Sequence, residues 1–264
     1  MENNIENNQN NININSELNS NTSTKNNSKD EYDSNNENFY NDIELLSEDY
    51  KSYDLSFKII VIGNSEVGKS CVTLKASKNI FQEDNVSTIG FEFYRFNVKI
   101  DSTIINLEIW DTCGQERYRS LIVNLYRGSA FSILVYAINK KQSFDDLEIW
   151  LKQVRTHASP DCKIYLIGNK CDLENQREVK YEDGENFSKN NLFEGFMETS
   201  AKTGINTKEL FMKIAKILYL EHKKLNENND MNLKENNILN AMRNKKLKNN
   251  KKLEEAEEIN GWCC

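Results

Sequence analysis

Apolar residues fall in short runs separated by polar and charged stretches, and the spacing within each run predicts an element. Phe57 to Ile62 is a nearly unbroken apolar run, as expected of a buried strand, and Lys69 to Lys78 carries a helical pattern. The period then changes. Phe91 to Ile100 and Ile104 to Trp110 have strand-like patterning on either side of the polar link Asp101-Ser102-Thr103, which predicts an antiparallel hairpin. Ala130 to Ile138 reads as a second buried strand, followed by a helix whose start, Ser143-Phe144-Asp145-Asp146, has the form of a capping box. A strand at Lys163 to Gly168, a helix at Tyr181 to Asn190, a short strand near Phe196 to Glu198 and an amphipathic helix from Thr207 to about His222 complete the series. This alternation predicts an α/β fold with a mostly parallel sheet covered on both faces, and ligands at the carboxyl ends of its strands.

Composition divides the chain. Residues 1–28 hold 12 Asn and almost nothing large and apolar, too little burial to offset the entropy of ordering them. Residues 1–55 carry 3 Lys/Arg against 12 Asp/Glu, residues 56–221 carry 22 of each, and residues 222–264 carry 9 against 7. The acidity therefore belongs to the N-terminal arm. Three segments are expected: a disordered Asn-rich extension at 1–55, a folded domain at 56–222, and a flexible tail at 223–264. The neutral middle offers no basic field for nucleic acid, so no nucleic-acid partner is expected. Met1 to Asn4 open no signal peptide and the longest apolar run is too short to cross a bilayer, so a cytosolic chain is expected. Cys71, Cys113, Cys162 and Cys171 lack the C-x-x-C spacing of a zinc site.

The candidate chemistry sits where strands end. Gly63-Asn64-Ser65-Glu66-Val67-Gly68-Lys69-Ser70 fits G-x-x-x-x-G-K-[ST] directly after a strand, the context of a phosphate-binding loop, although an incidental glycine turn would look similar. In such a loop successive N–H groups and a helix N-terminus make an anion cradle, into which the backbone of Ser65 to Cys71 would point. Lys69 would reach the β- and γ-phosphates, and Ser70 would take a position on Mg²⁺. Asp111 leaves a strand where a water-mediated contact to Mg²⁺ is needed, Gly114 follows with an N–H for the γ-phosphate, and Thr88 can supply a second hydroxyl to the metal. Asn169-Lys170-Cys171-Asp172 and Ser200-Ala201-Lys202 follow later strands. The first could be only a helix-capping turn and the second nothing in particular, but their order at strand ends favours a nucleotide site.

Together these motifs resemble the Ras superfamily of small GTPases, over about Ser56 to Glu221. The resemblance implies a P-loop NTPase fold of the small G-protein type, with a mostly parallel six-stranded sheet, one antiparallel edge strand, and helices on both faces. It implies that Asp172 accepts hydrogen bonds from guanine N1 and the 2-amino group, that the Ala201 N–H contacts O6, that Asn169 ties the loops together, and that Lys170, Lys202 and Phe81 flank the base. The bound nucleotide is then GTP or GDP, and Gln115 orients the water that attacks the γ-phosphate.

Within the superfamily the chain looks like a Rab protein. The likeness rests on Ile89-Gly90-Phe91-Glu92-Phe93, Trp110-Asp111-Thr112, Gln115 to Leu121, Leu125-Tyr126-Arg127-Gly128, and the terminal Cys263-Cys264. It implies an effector surface of Ile89, Gly90, Phe91, Phe93, Trp110 and Leu125. It also implies geranylgeranyl groups on Cys263 and Cys264, although two exposed thiols or a metal-binding pair would read the same way. Expected partners are an exchange factor, a GTPase-activating protein, effectors, a Rab escort protein and a GDP-dissociation inhibitor. A monomer is expected on the cytoplasmic face of an endomembrane, with a cytosolic pool. A basic run from Arg243 to Lys252 would attract anionic lipid or simply solvate the tail. Three residues depart from the family pattern. Cys113 would put a thiol near the γ-phosphate, Glu66 would put a carboxylate either near the phosphates or into solvent, and Leu125 replaces an aromatic. A soluble GTPase of the wider Ras group and a GTP-binding scaffold with little turnover are the alternatives.

Overall fold

The computed structural model describes residues 40–82, 88, 90–114 and 119–227, the backbone only at 119–122. The chain divides into Met1–Phe39 and Tyr40–Cys264, and all described residues fall in the second unit. The strands are β1 (Ile43–Leu46), β2 (Leu55–Gly63), β3 (Phe91–Ile100), β4 (Thr103–Thr112), β5 (Phe131–Ala137), β6 (Lys163–Asn169) and β7 (Gly195–Thr199). The helices are α1 (Lys69–Lys78), α2 (Arg119–Tyr126), α3 (Lys141–Asp145), α4 (Leu147–His157), α5 (Tyr181–Asn190) and α6 (207–227), with a 3₁₀ segment at Cys171–Gln176. α6 runs past the end expected near His222. Among the described residues no helix is long and apolar enough to cross a membrane.

The sheet order is β1-β3-β4-β2-β5-β6-β7. β1 and β4 flank β3 in antiparallel pairings, and the remaining pairs are parallel. The expected α/β architecture is therefore present, but among the described residues the sheet has seven strands where the resemblance implied six. The extra strand comes from the arm expected to be disordered. Ile43–Leu46 pairs with Asn97–Ile100 in the register Ile43↔Ile100 to Leu46↔Asn97, so the open edge of the β3–β4 hairpin completes the hydrogen bonds of a segment too short to be stable alone. Asn97 then stops the strand. Its amide donates to Ser47 O at 2.8 Å and reaches Glu48 O and Tyr50 O at 3.4 Å, curling the chain off the edge. Asp42 pairs with Lys216 of α6 at 2.8 Å and ties down the other end.

Alternation along the strands builds two cores. Ile59 and Val61 of β2 pack with Val72 of α1 and Phe211, Ile214 and Leu218 of α6. Ile60 and Ile62 point the other way, toward Leu147, Trp150, Leu151 and Val154 of α4. Each such aliphatic or aromatic side chain contributes about 1.5–3 kcal/mol on burial, so the sheet is held between its helices from both sides. Because β2, β4, β5, β6 and β7 run parallel, their carboxyl ends open along one edge of the molecule.

One local expectation does not hold. Ser143 is not a helix cap: it is buried inside α3, where its hydroxyl accepts from Ala137 N–H at 3.0 Å and donates to Lys140 O at 2.6 Å. The Ala137 donor at the end of β5 outcompetes the helix terminus for that oxygen, and the chain bends between α3 and α4 instead.

Candidate functional site

Between β2 and α1 the chain makes a tight loop that only certain residues permit. A Cβ on Gly63 would fall 2.2 Å from Val135 O, and one on Gly68 would fall 2.3 Å from the Asn169 amide nitrogen, so both glycines are there for close approach. Val67 is buried in the core and anchors the loop from below. Lys69 is only 5% exposed and donates to Asn64 O at 2.8 Å. Burial pushes its pKa down to about 8, opposed by the nearby Asp111 carboxylate.

The expected metal-ligating residues converge although they are distant in sequence. The Ser70 hydroxyl donates to Asp111 Oδ2 and lies 2.8 Å from the Thr88 hydroxyl. Asp111 is fully buried, and its Oδ1 has no hydrogen-bond partner among the described residues. Burial raises its pKa to about 6, against the charge of Lys69 and the hydrogen bond from Ser70. An orphaned buried carboxylate oxygen beside two hydroxyls is a donor set of hard oxygens that fits Mg²⁺ and its waters. Gly114 sits directly over the phosphate loop, since a Cβ there would lie 2.3–2.4 Å from the backbone of Asn64 and Ser65.

At the far side of the cradle, Asn169 latches three loops. Its Nδ2 donates to Val67 O at 2.8 Å, and its Oδ1 accepts from the Thr199 hydroxyl at 3.1 Å and Ala201 N–H at 3.4 Å. Asp172 accepts from the Ser200 hydroxyl at 2.6 Å, which joins the two motifs expected to read the base. Lys170 takes a left-handed backbone conformation at φ 67°, and burial lowers its pKa. Lys202 is exposed, and Phe81 is half-buried against the α1 and α6 core. Cys71, on the first turn of α1, is half-buried with its thiol pKa raised, chiefly by burial.

The surface expectations divide. Phe91 (50% exposed) and Phe93 (42%) flank the Trp110 ring at 5.1 and 5.4 Å, forming an exposed aromatic patch, and Gly90 O accepts from Cys113 N–H at 2.9 Å. Leu125, placed with them by resemblance, is 9% exposed and packs in the α4 core instead. An aliphatic side chain lacks the polar end that keeps an aromatic such as tyrosine at a surface, so it turns inward. Cys113 is likewise buried in that core. Glu66 has φ 67°, and its exposed carboxylate pairs with Lys140 at 3.4 Å, the solvent-facing alternative. Ile89, Gln115, Cys263 and Cys264 lie outside the described residues.

Two further clusters went unnoticed in the sequence. Arg177 clasps Glu174 and Glu198 at 2.7 and 2.6 Å, pinning the 3₁₀ segment that carries Asp172 to the strand that leads into Ser200. Asn64 accepts from Trp150 Nε1 at 2.6 Å and donates to Asp146 Oδ2 at 2.5 Å. The loop pattern leaves the second position open and so carries no signal for this cluster, and the partners of Asn64 lie 82 and 86 residues away.

A family model described as the Ras family matches residues 58–220. The GTP-binding protein ypt2 of Schizosaccharomyces pombe is 39% identical over 188 residues, covering 71% of this chain and 92% of that protein. The Ras-related protein Rab-8 of Diplobatis ommata is 41% identical over 179 residues, covering 67% of this chain and 85% of that protein.

Proposed function

The chain belongs to the Ras family and, within it, to the Rab small GTPases, which hydrolyse GTP, and on that premise we propose a membrane-anchored switch for vesicle transport. The observation that carries the nucleotide part of this reading is the convergence of Ser70, Thr88 and the orphaned Asp111 oxygen beside Lys69. Mg²⁺, when bound, supplies positive charge against the β- and γ-phosphates. Lys69 places its ammonium on the same phosphates, and Ser70 and Thr88 offer hydroxyl oxygens to the metal. Asp111 would hold a water of that metal. Gly114 offers its N–H to the γ-phosphate, and Gln115 orients the attacking water. Asp172 reads the guanine N1 and 2-amino donors, with Ala201 N–H on O6 and the stems of Lys170 and Lys202, with Phe81, about the base.

Thr88 and Gly114 lie in the segments that a γ-phosphate would hold in one ordered state, and hydrolysis would release both. The exposed Phe91–Trp110–Phe93 patch adjoins these segments and would present the state to effectors. Geranylgeranyl groups on Cys263 and Cys264, in the tail beyond α6, would hold the protein on the cytoplasmic face of an endomembrane. An exchange factor, an activating protein, an escort protein and a dissociation inhibitor would manage the cycle and the cytosolic pool. Asp172→Asn tests the base assignment, because an amide offers xanthine the donor that a carboxylate cannot. Competition binding should show preference moving from GTP toward xanthosine triphosphate, and unchanged guanine selectivity would sink the reading.

A further inference from the structure

Asn64 is held from both sides by groups that leave its amide a single orientation. The indole N–H of Trp150 is only a donor and the Asp146 carboxylate only an acceptor, so the Asn64 oxygen must face Trp150 and its NH₂ must face Asp146. Gln142 Nε2 donates to the other Asp146 oxygen at 2.8 Å and completes the set. Trp150 is fully buried, so this contact is part of the α4 core. The backbone carbonyl of Asn64 accepts from the Lys69 ammonium at 2.8 Å, and the peptide from Asn64 to Ser65 is the surface on which Gly114 rests. Asn169 holds the same loop at its other end, by donating to Val67 O, and joins it to the base side through Ala201 N–H.

We propose that Trp150 and Asp146 are positioning residues for the γ-phosphate: through the Asn64 side chain, α4 sets the place of the Asn64–Ser65 peptide, and with it Lys69 and Gly114. The proposal rests on the assignment of this loop to GTP and GDP. The Gly114 N–H serves the γ-phosphate alone and the Lys69 ammonium serves it together with the β-phosphate, so a shift of that peptide weakens the hold on GTP more than on GDP. It also makes α4 a route by which a protein bound on the outer face of this helix can alter the phosphate end of the site without touching the nucleotide.

The test compares affinities for GDP and for a non-hydrolysable GTP analogue, both with Mg²⁺, by displacement of fluorescent GDP. Trp150→Phe keeps the buried ring and removes one N–H. Asp146→Ala removes the second partner at a half-buried position whose side chain makes no helix-cap bond, so it folds even where a core change does not. Each variant should lose about tenfold in affinity for the analogue while GDP changes by less than about threefold, the size expected for one lost hydrogen bond felt mainly at one end of the ligand. Asn64→Asp alone sets two carboxylates face to face and should behave likewise. Combined with Asp146→Asn, which returns a donor opposite it, the ratio of the two affinities should return to within about threefold of the parent. Variants that melt earlier yet keep the parent ratio would show that the cluster only stabilises the fold, and would overturn the inference while leaving the nucleotide reading intact. A parent chain that binds neither nucleotide would overturn both.

Discussion

Replacing Asn97 by Ala should loosen the strap from Asp42 to Tyr50 from the sheet edge. Asn97 is 2% exposed, and its amide reaches from β3 to the turn after β1, with a good bond to Ser47 O at 2.8 Å and marginal ones at 3.4 Å. A single net hydrogen bond is worth about 1 kcal/mol, and the carbonyl left behind costs about 1–3 kcal/mol if it stays dry, so about 2 kcal/mol is expected in all. For a domain of this size that lowers Tm by about 4–8 °C. The measurement is thermal unfolding at fixed saturating GDP and Mg²⁺, since bound nucleotide itself stabilises the folded chain. The same substitution is then made in a chain lacking residues 1–50. There the strap is gone and Asn97 faces water, so Asn97→Ala should cost less than about 0.5 kcal/mol. Equal losses in both backgrounds would refute the reasoning, because Asn97 would then act within the β3–β4 hairpin and not through the strap.

Arg177→Met should cost about 3 kcal/mol by leaving the half-buried Glu198 without its partner, and should speed GDP release by loosening the segment that carries Asp172, read by fluorescent-nucleotide dissociation. Glu66→Gly should change stability by less than about 1 kcal/mol, and in the stabilising direction, because the left-handed backbone at φ 67° suits glycine and the exposed pair with Lys140 is worth little; a larger loss in urea unfolding would contradict this. Gln115→Leu should leave nucleotide affinity nearly intact and lower single-turnover hydrolysis, most visibly with an activating protein. Cys263→Ser with Cys264→Ser should release the protein from membranes on fractionation while GTP binding stays at the parent level.

Much of the site was legible because its chemistry is local. A phosphate loop is a run of eight residues whose glycines, lysine and serine act through neighbouring backbone, and α1 and α5 were bounded correctly from periodicity within their own length. The strand ends could be ordered along one edge because parallel strands leave their ligand-binding loops together. Distance was what sequence alone could not supply. Ile43–Leu46 carries no strand signal of its own in an Asn-rich acidic arm, and it becomes a strand only because the β3 edge lies open and Asn97 reaches across about fifty residues to fix the turn after it. Ser143 reads as a cap until Ala137 N–H claims its hydroxyl, and Leu125 reads as surface until the α4 core takes it in. The same holds for Asn64, Trp150 and Asp146, and for Arg177 with Glu198. A side chain's hydrogen bonds are decided by which buried partner is nearest in space, and only the packing of α4 and β7 against the sheet brings those partners within 3 Å.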